Sequence, residues 1–190
     1  MSTATPDRLL TSEDLFAMRP SKKVDRWLFR GELRENKVTK RNPSHSATLM
    51  SLGKILSNWL DKQPKPRGRL FGGEAYFRIR RDPTTNVGID IALSTPAQAA
   101  STARTASYVD GAPLLAVEVL SPYDKKKDID ETIDEYLACG VKVLWIVDPI
   151  RETVTIHRRG AEPVMVTRSQ QLVGGKELPG FRCQVSDIFE

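Results

Sequence analysis

Two apolar runs carry an acid where a buried strand should carry none. Asp90 interrupts Val87-Gly88-Ile89-Asp90-Ile91-Ala92-Leu93, and Glu118 interrupts Leu114-Leu115-Ala116-Val117-Glu118-Val119-Leu120. Both runs are rich in β-branched and aliphatic residues, the pattern of strands buried in a sheet. A buried carboxylate is costly unless it is paired or binds a cation. Two of them about 4 Å apart would repel by about 4 kcal/mol at an effective dielectric of 20. A divalent cation between them removes that conflict, so the pair constrains both the fold and the chemistry.

The 190 residues suit one domain with a real core. No apolar run approaches the roughly 20 residues that cross a bilayer, and Met1 to Arg8 lack the basic-then-apolar pattern of a signal peptide. Cys139 and Cys183 stand alone, in no zinc spacing and no disulfide framework, so a reducing cytoplasm is the expected compartment and both thiols read as inert. Charge is unevenly spread. Residues 1–82 hold 18 Lys/Arg against 9 Asp/Glu, and residues 83–190 hold 11 against 15. A basic half is compatible with a polyanionic partner, and equally with a solvated surface.

The spacing predicts a flexible segment over 1–9 and one folded domain over 10–190. Thr11-Ser12-Glu13-Asp14 opens a short capped helix that ends before Pro20. Trp27 to Gly31 and Glu32 to Thr39 form a strand pair. Asn42-Pro43-Ser44 starts an amphipathic helix that runs to Leu60, with Leu49, Leu52 and Leu56 on its apolar face. His45 continues that face. Glu74 to Arg81 alternates as a strand, and Asp82 to Asn86 turns the chain into the Asp90 strand. There Val87, Ile89, Ile91 and Leu93 are expected on one face, with Asp90 opposite between the small Gly88 and Ala92. Ser94 to Asp110 reads as a loop with a short helix. A strand–helix–strand unit follows from Leu114 to Val147, its helix ending at Gly140. Thr153 to His157 and Val164 to Thr167 form a hairpin, and the tail is expected on the sheet's edge.

The stretch Ala116-Val117-Glu118-Val119-Leu120-Ser121-Pro122, then Asp128, Tyr136, Gly140-Val141 and Leu144-Trp145-Ile146-Val147-Asp148-Pro149 closely resembles the Uma-type restriction endonucleases. This is a bacterial family within the PD-(D/E)xK nuclease superfamily. Gly31-Glu32-Leu33, Ser44-His45 and Gly88-Ile89-Asp90-Ile91-Ala92 fit it in the same order. The resemblance implies an α/β fold with a restriction-endonuclease-like mixed central sheet flanked by helices. It implies a magnesium ion, replaceable by manganese, held by Asp90, Glu118 and the carbonyl of Val119. The expected reaction is hydrolysis of DNA phosphodiester bonds by a homodimer, since one site per chain must meet both strands of a duplex. Two departures are visible. The superfamily's lysine position, two residues after the second acid, is Leu120; the position on the following helix to which relatives move it, four residues before the tyrosine, is Thr132; and an upstream acid position is Trp27, for which Glu32 or Glu74 would have to substitute. The alternative is therefore a degenerate nuclease fold retained for nucleic-acid binding or assembly.

Within that reading Asp90, Glu118 and His45 are the candidate catalytic groups, with Lys125 and Lys127 standing in for the displaced lysine. Arg78, Arg80 and Lys126 are the candidate phosphate contacts. Each has a plainer alternative. Asp90 would pair with Arg78 or Arg80 on the neighbouring strand, His45 would be a satisfied helix-start histidine, and the lysines a solvated helix end. Tyr136 and Trp145 lie on apolar periodicity and read as core.

Overall fold

The computed structural model of the chain describes residues 8–37 and 42–190. Residues 1–7 of the predicted flexible segment, and the 38–39 end of the predicted second strand, lie outside the described residues. Arg8 grips the Asp14 carboxylate through two hydrogen bonds of 2.8 and 2.9 Å, and the Leu10 N–H donates to the Gly31 carbonyl at 2.8 Å. Helix α1 (Ser12–Ala17) is closed by the predicted box, in which the Thr11 side chain and Asp14 satisfy each other's backbone N–H groups.

Strands β1 (Val24–Phe29) and β2 (Glu32–Lys37) form a hairpin across Arg30-Gly31, both with positive φ (53° and 79°). A two-residue turn of that hand matches the twist of the strands. Helix α2 (Pro43–Asp61) starts on the Asn42 cap, and its buried residues His45, Thr48, Leu52 and Leu56 line one stripe. Strand β3 (Leu70–Arg81) returns as β4 (Thr84–Leu93). The 94–110 stretch holds α3 (Pro96–Ser101) and a short β5 (Val109–Asp110). Then come β6 (Leu115–Val119), α4 (Lys126–Ala138) and β7 (Val143–Asp148), with β6 and β7 parallel as the strand–helix–strand reading requires. Strands β8 (Thr153–His157) and β9 (Val164–Thr167) close the sheet.

The nine strands form one mixed sheet in the order β2-β1-β4-β6-β7-β8-β9, with β3 on β4 and β5 on β3. Two apolar clusters cover its faces. One lies under α2 and includes Leu52, Leu56, Val117 and Trp145; the other lies under α4 and includes Phe77, Ile89, Leu144 and Ile146. The tail forms a separate pair, β10 (Gln171–Val173) with β11 (Arg182–Gln184), followed by a 3₁₀ turn over Val185–Ile188. It does not sit on the sheet's edge as predicted. Phe181, Val185 and Ile188 are buried in the α2-side core, where the Phe181 ring meets both Trp59 and Trp145.

A second difference positions the site. Val87 and Ile89 join the α4-side core, whereas Ile91 and Leu93 join the other. The expected single face therefore changes hands at Asp90. Opposite Asp90, β3 carries two residues, Gly73 and Glu74, between the pairs Gly72↔Ile91 and Ala75↔Ile89. Such a bulge bends the strand and increases its twist. Both bulge residues have positive φ, 75° and 61°, and Gly88 makes the room: a Cβ there would lie 3.1 Å from the Glu74 carbonyl oxygen.

Candidate active site

Strand β4 is paired with β3 along one side. On the other it meets β1 at Asn86 and β6 only from Ile91 onward. Among the described residues no strand pairs with that side from Val87 to Asp90, so the sheet forks there. The register Ile91↔Val117, carried one residue further, sets Asp90 opposite Glu118. Side chains opposite each other on adjacent strands share a face within reach of one another. Across the fork the Asp90 Oδ2 accepts the Val119 N–H at 2.9 Å, which ties the two strands by a side chain where their ladder has ended.

The fork opens into a cleft of about 820 Å³ lined by Asp90, Glu118, Val119, Glu74 and Lys125 among others. Asp90 is 5% exposed and pairs with no Lys or Arg among the described residues. Its plainer alternative therefore does not hold: Arg78 is bound to Asp110 at 2.8 Å and Arg80 to Glu135 at 2.8 Å. Asp90 has instead the first turn of α2. His45 Nε2 lies 3.3 Å from Asp90 Oδ2, and neither ring nitrogen makes a hydrogen bond among the described residues. The Asn42 side chain accepts the His45 N–H at 2.7 Å and fixes that turn.

Glu118 is half-buried, and its Oε1 accepts the Tyr136 hydroxyl at 2.7 Å. Burial, and then the negative charges of Glu118 and Asp90, push the Tyr136 phenol well above its ordinary range. Tyr136 thus meets the acid pair as a hydroxyl donor. Its apolar spacing predicts core, and it is buried there; its hydroxyl is the part that meets the acid pair. The available signal was a tyrosine rather than a phenylalanine on an apolar stripe, because a buried hydroxyl seeks a partner.

The basic candidates divide. Lys125 stands just before the first turn of α4 without capping it, lines the cleft and has no ion-pair partner among the described residues. Lys126 and Lys127 pair with Asp130 and Glu131 one turn on, at 3.0 and 3.8 Å, with side chains 90% and 84% exposed. Neither lines the cleft. Arg78 and Arg80 do not line it either, being held in the ion pairs above, so the phosphate contacts predicted for Arg78, Arg80 and Lys126 are not brought to the acid pair. Leu120 and Thr132 do line it, and the Thr132 hydroxyl is turned to the Asp128 carbonyl at 2.9 Å. Both cysteine thiols are pushed up to about 11, first by burial.

As a metal centre the site offers hard oxygen donors, the kind magnesium takes: the two carboxylates and the Val119 carbonyl. No group of three His, Cys, Asp or Glu side chains among the described residues converges as a metal cluster. Two carboxylates fit an ion that keeps several waters, as magnesium does. The wider lining carries seven Asp/Glu against four Lys/Arg among the described residues, so a polyanion meets net negative charge unless cations accompany it.

Two comparisons fit this geometry. The fold matches the crystal structure of a protein from Anabaena variabilis ATCC 29413 described as "a putative nuclease belonging to DUF820", with a TM-score of 0.76 and 16% identity over 95% of this chain and 97% of that one. No curated protein matches the chain significantly. No helix among the described residues is long and apolar enough to cross a membrane. The family described as "Putative restriction endonuclease" (Uma2) matches residues 12–186, nearly the whole length, and the chain belongs to that family.

Proposed function

We propose that the chain is a magnesium-dependent endonuclease that hydrolyses DNA phosphodiester bonds, acting in the cytoplasm as a homodimer with one site per protomer. The observation that supports this is the fork in the sheet, where Asp90 and Glu118, one residue beyond the Ile91↔Val117 pair on each strand, both line an open cleft. Asp90, Glu118 and the Val119 carbonyl would hold the ion. When bound it would supply charge neutralisation at the phosphate and a more acidic water.

The protein's own residues do the rest. The Val119 N–H fixes one Asp90 oxygen, and the Tyr136 hydroxyl fixes one Glu118 oxygen, so both carboxylates face the cleft preorganised. Lys125 brings positive charge to the same cleft, where the two expected lysine positions hold Leu120 and Thr132. Among the described residues the lining is net acidic, so a cation would favour entry of DNA.

The test is supercoiled plasmid with magnesium, followed as relaxed and linear product. Wild type should cut, and Asp90→Ala and Glu118→Ala should each lose about a hundredfold or more, the scale of removing a preorganised electrostatic group. Cleavage that survives both substitutions rules the proposal out. Leu120 and Thr132 favour a second reading, a degenerate fold that binds nucleic acid without cutting it. It predicts salt-sensitive DNA affinity with no metal requirement and no loss on Glu118→Ala.

A further inference from the structure

We infer that the cleft takes an unpaired DNA strand, with Tyr123 as its base-stacking platform; this rests on the nuclease reading above. Tyr123 sits on the turn leaving the Glu118 strand, lines the same cleft as the acid pair, and is 88% exposed. A large ring left in water at that place is not a floppy tip. The Asp124 carboxylate accepts the Ser121 N–H at 2.7 Å, and the Asp124 N–H donates back to the Ser121 carbonyl at 3.1 Å. That closed turn presents the ring, with Pro122 limiting the backbone before it.

The rest of the cleft suits the same occupant. The β1–β2 hairpin contributes Trp27 and Phe29 together with Arg26, Arg34 and Lys37, beside the acids Asp25 and Glu35, and the Arg34 guanidinium lies 5.5 Å from the Phe29 ring centre. Interleaved rings and cations are how single strands are held without regard to sequence. A duplex keeps its base faces stacked inside and shows proteins only edges. Splayed bases of an unpaired strand offer Tyr123 a face.

The experiment uses the full chain with calcium in place of magnesium. The probes are an oligothymidylate carrying one 2-aminopurine and a hairpin duplex carrying the same base. Anisotropy reads affinity, and 2-aminopurine quenching reads stacking. Wild type should bind the strand more tightly than the hairpin and quench it. Tyr123→Ala should lose the quench and roughly 5- to 150-fold in strand affinity, Tyr123→Trp should keep both, and hairpin affinity should be equal in all three. Tyr123→Ala binding and quenching like wild type overturns the inference, as does a hairpin bound as tightly as the strand. Plasmid cleavage separates this from the nuclease reading. A quenched strand that is never cut with magnesium leaves the stacking and removes the nuclease; Glu118-dependent cleavage with no quench does the reverse.

Discussion

Glu135 on α4 and Asp90 on β4 are both withdrawn from water, at 0% and 5% exposure, yet they keep opposite company. Glu135 receives Arg30 at 2.9 Å, Arg80 at 2.8 and 3.1 Å, the Thr85 hydroxyl at 2.6 Å and the Cys139 thiol at 3.4 Å. Those donors come from the hairpin turn, β3, β4 and α4 itself, so one carboxylate knots four elements together. Asp90 receives a backbone N–H and a histidine contact, with no Lys or Arg among the described residues. A buried charge compensated by fixed cations is part of the scaffold. One that is not so compensated is expensive, and persists where an exchangeable cation completes it. On the proposed function, the difference separates an acid that serves the scaffold from one that serves the site.

The largest expected effect tests that distinction directly. In metal-free buffer, Arg80→Leu leaves Glu135 buried with fewer donors and should cost about 3 kcal/mol in urea unfolding. Asp90→Asn keeps an acceptor for the Val119 N–H and removes a charge that no Lys or Arg among the described residues offsets, so its stability should stay within about 1 kcal/mol of wild type or rise above it. If Asp90→Asn destabilises as much as Arg80→Leu, Asp90 belongs to the scaffold and the comparison breaks.

Acid titration sharpens the other half. Burial pushes the Glu135 carboxyl up, but hydrogen bonds from Arg80, Thr85, Arg30 and Cys139 outweigh it and hold the group at about 2, below its ordinary 4.5. A carboxyl depressed in the folded state binds protons more weakly there than in the unfolded chain. Its contribution is therefore whole above about pH 4.5 and is lost as pH falls toward 2. At about 1.4 kcal/mol per unit, the stability gap between wild type and Glu135→Gln should shrink by about 3 kcal/mol over that window. A gap that stays constant from pH 5 to 2 would show that the charge on Glu135 contributes nothing.

The same contrast explains what could be read in the chain. Asp90 and Glu118 were visible because an acid in an apolar strand breaks local patterning, and α2 because Asn42, Pro43 and the leucine stripe are all local signals. Glu135 was invisible: on an exposed-looking helix it resembles any solvated acid, and its partners Arg30, Thr85 and Arg80 lie about 50 to 105 residues away. Arg78 and Arg80 were read as phosphate contacts for the same reason, since nothing in their own strand reveals Asp110 or Glu135. The fork is also non-local. Which strand β4 pairs with on each side of Asp90 depends on β1 and β6 together, and the bulge that turns Ile91 away from Ile89 depends on the register of β3.

Tyr136 carries the smallest effect and the finest test. On apolar spacing alone it is interchangeable with phenylalanine, and Tyr136→Phe keeps the ring in its buried place. What it removes is the hydroxyl 2.7 Å from Glu118 Oε1. If Tyr136 were only core, that change would leave metal affinity untouched. If it positions Glu118, manganese affinity should fall about tenfold or somewhat more, as when a hydrogen bond behind a ligand is deleted, with thermal stability moving by about 1 kcal/mol. Titration calorimetry with manganese separates the two, because a purely structural role lowers the melting temperature and leaves the binding constant alone. A cap away from the cleft supplies the control. Thr95→Ala removes the side-chain cap of α3 and loses about 1 kcal/mol of helix stability, so a metal constant that drops for Tyr136→Phe but not for this equally destabilised variant assigns the effect to the hydroxyl itself.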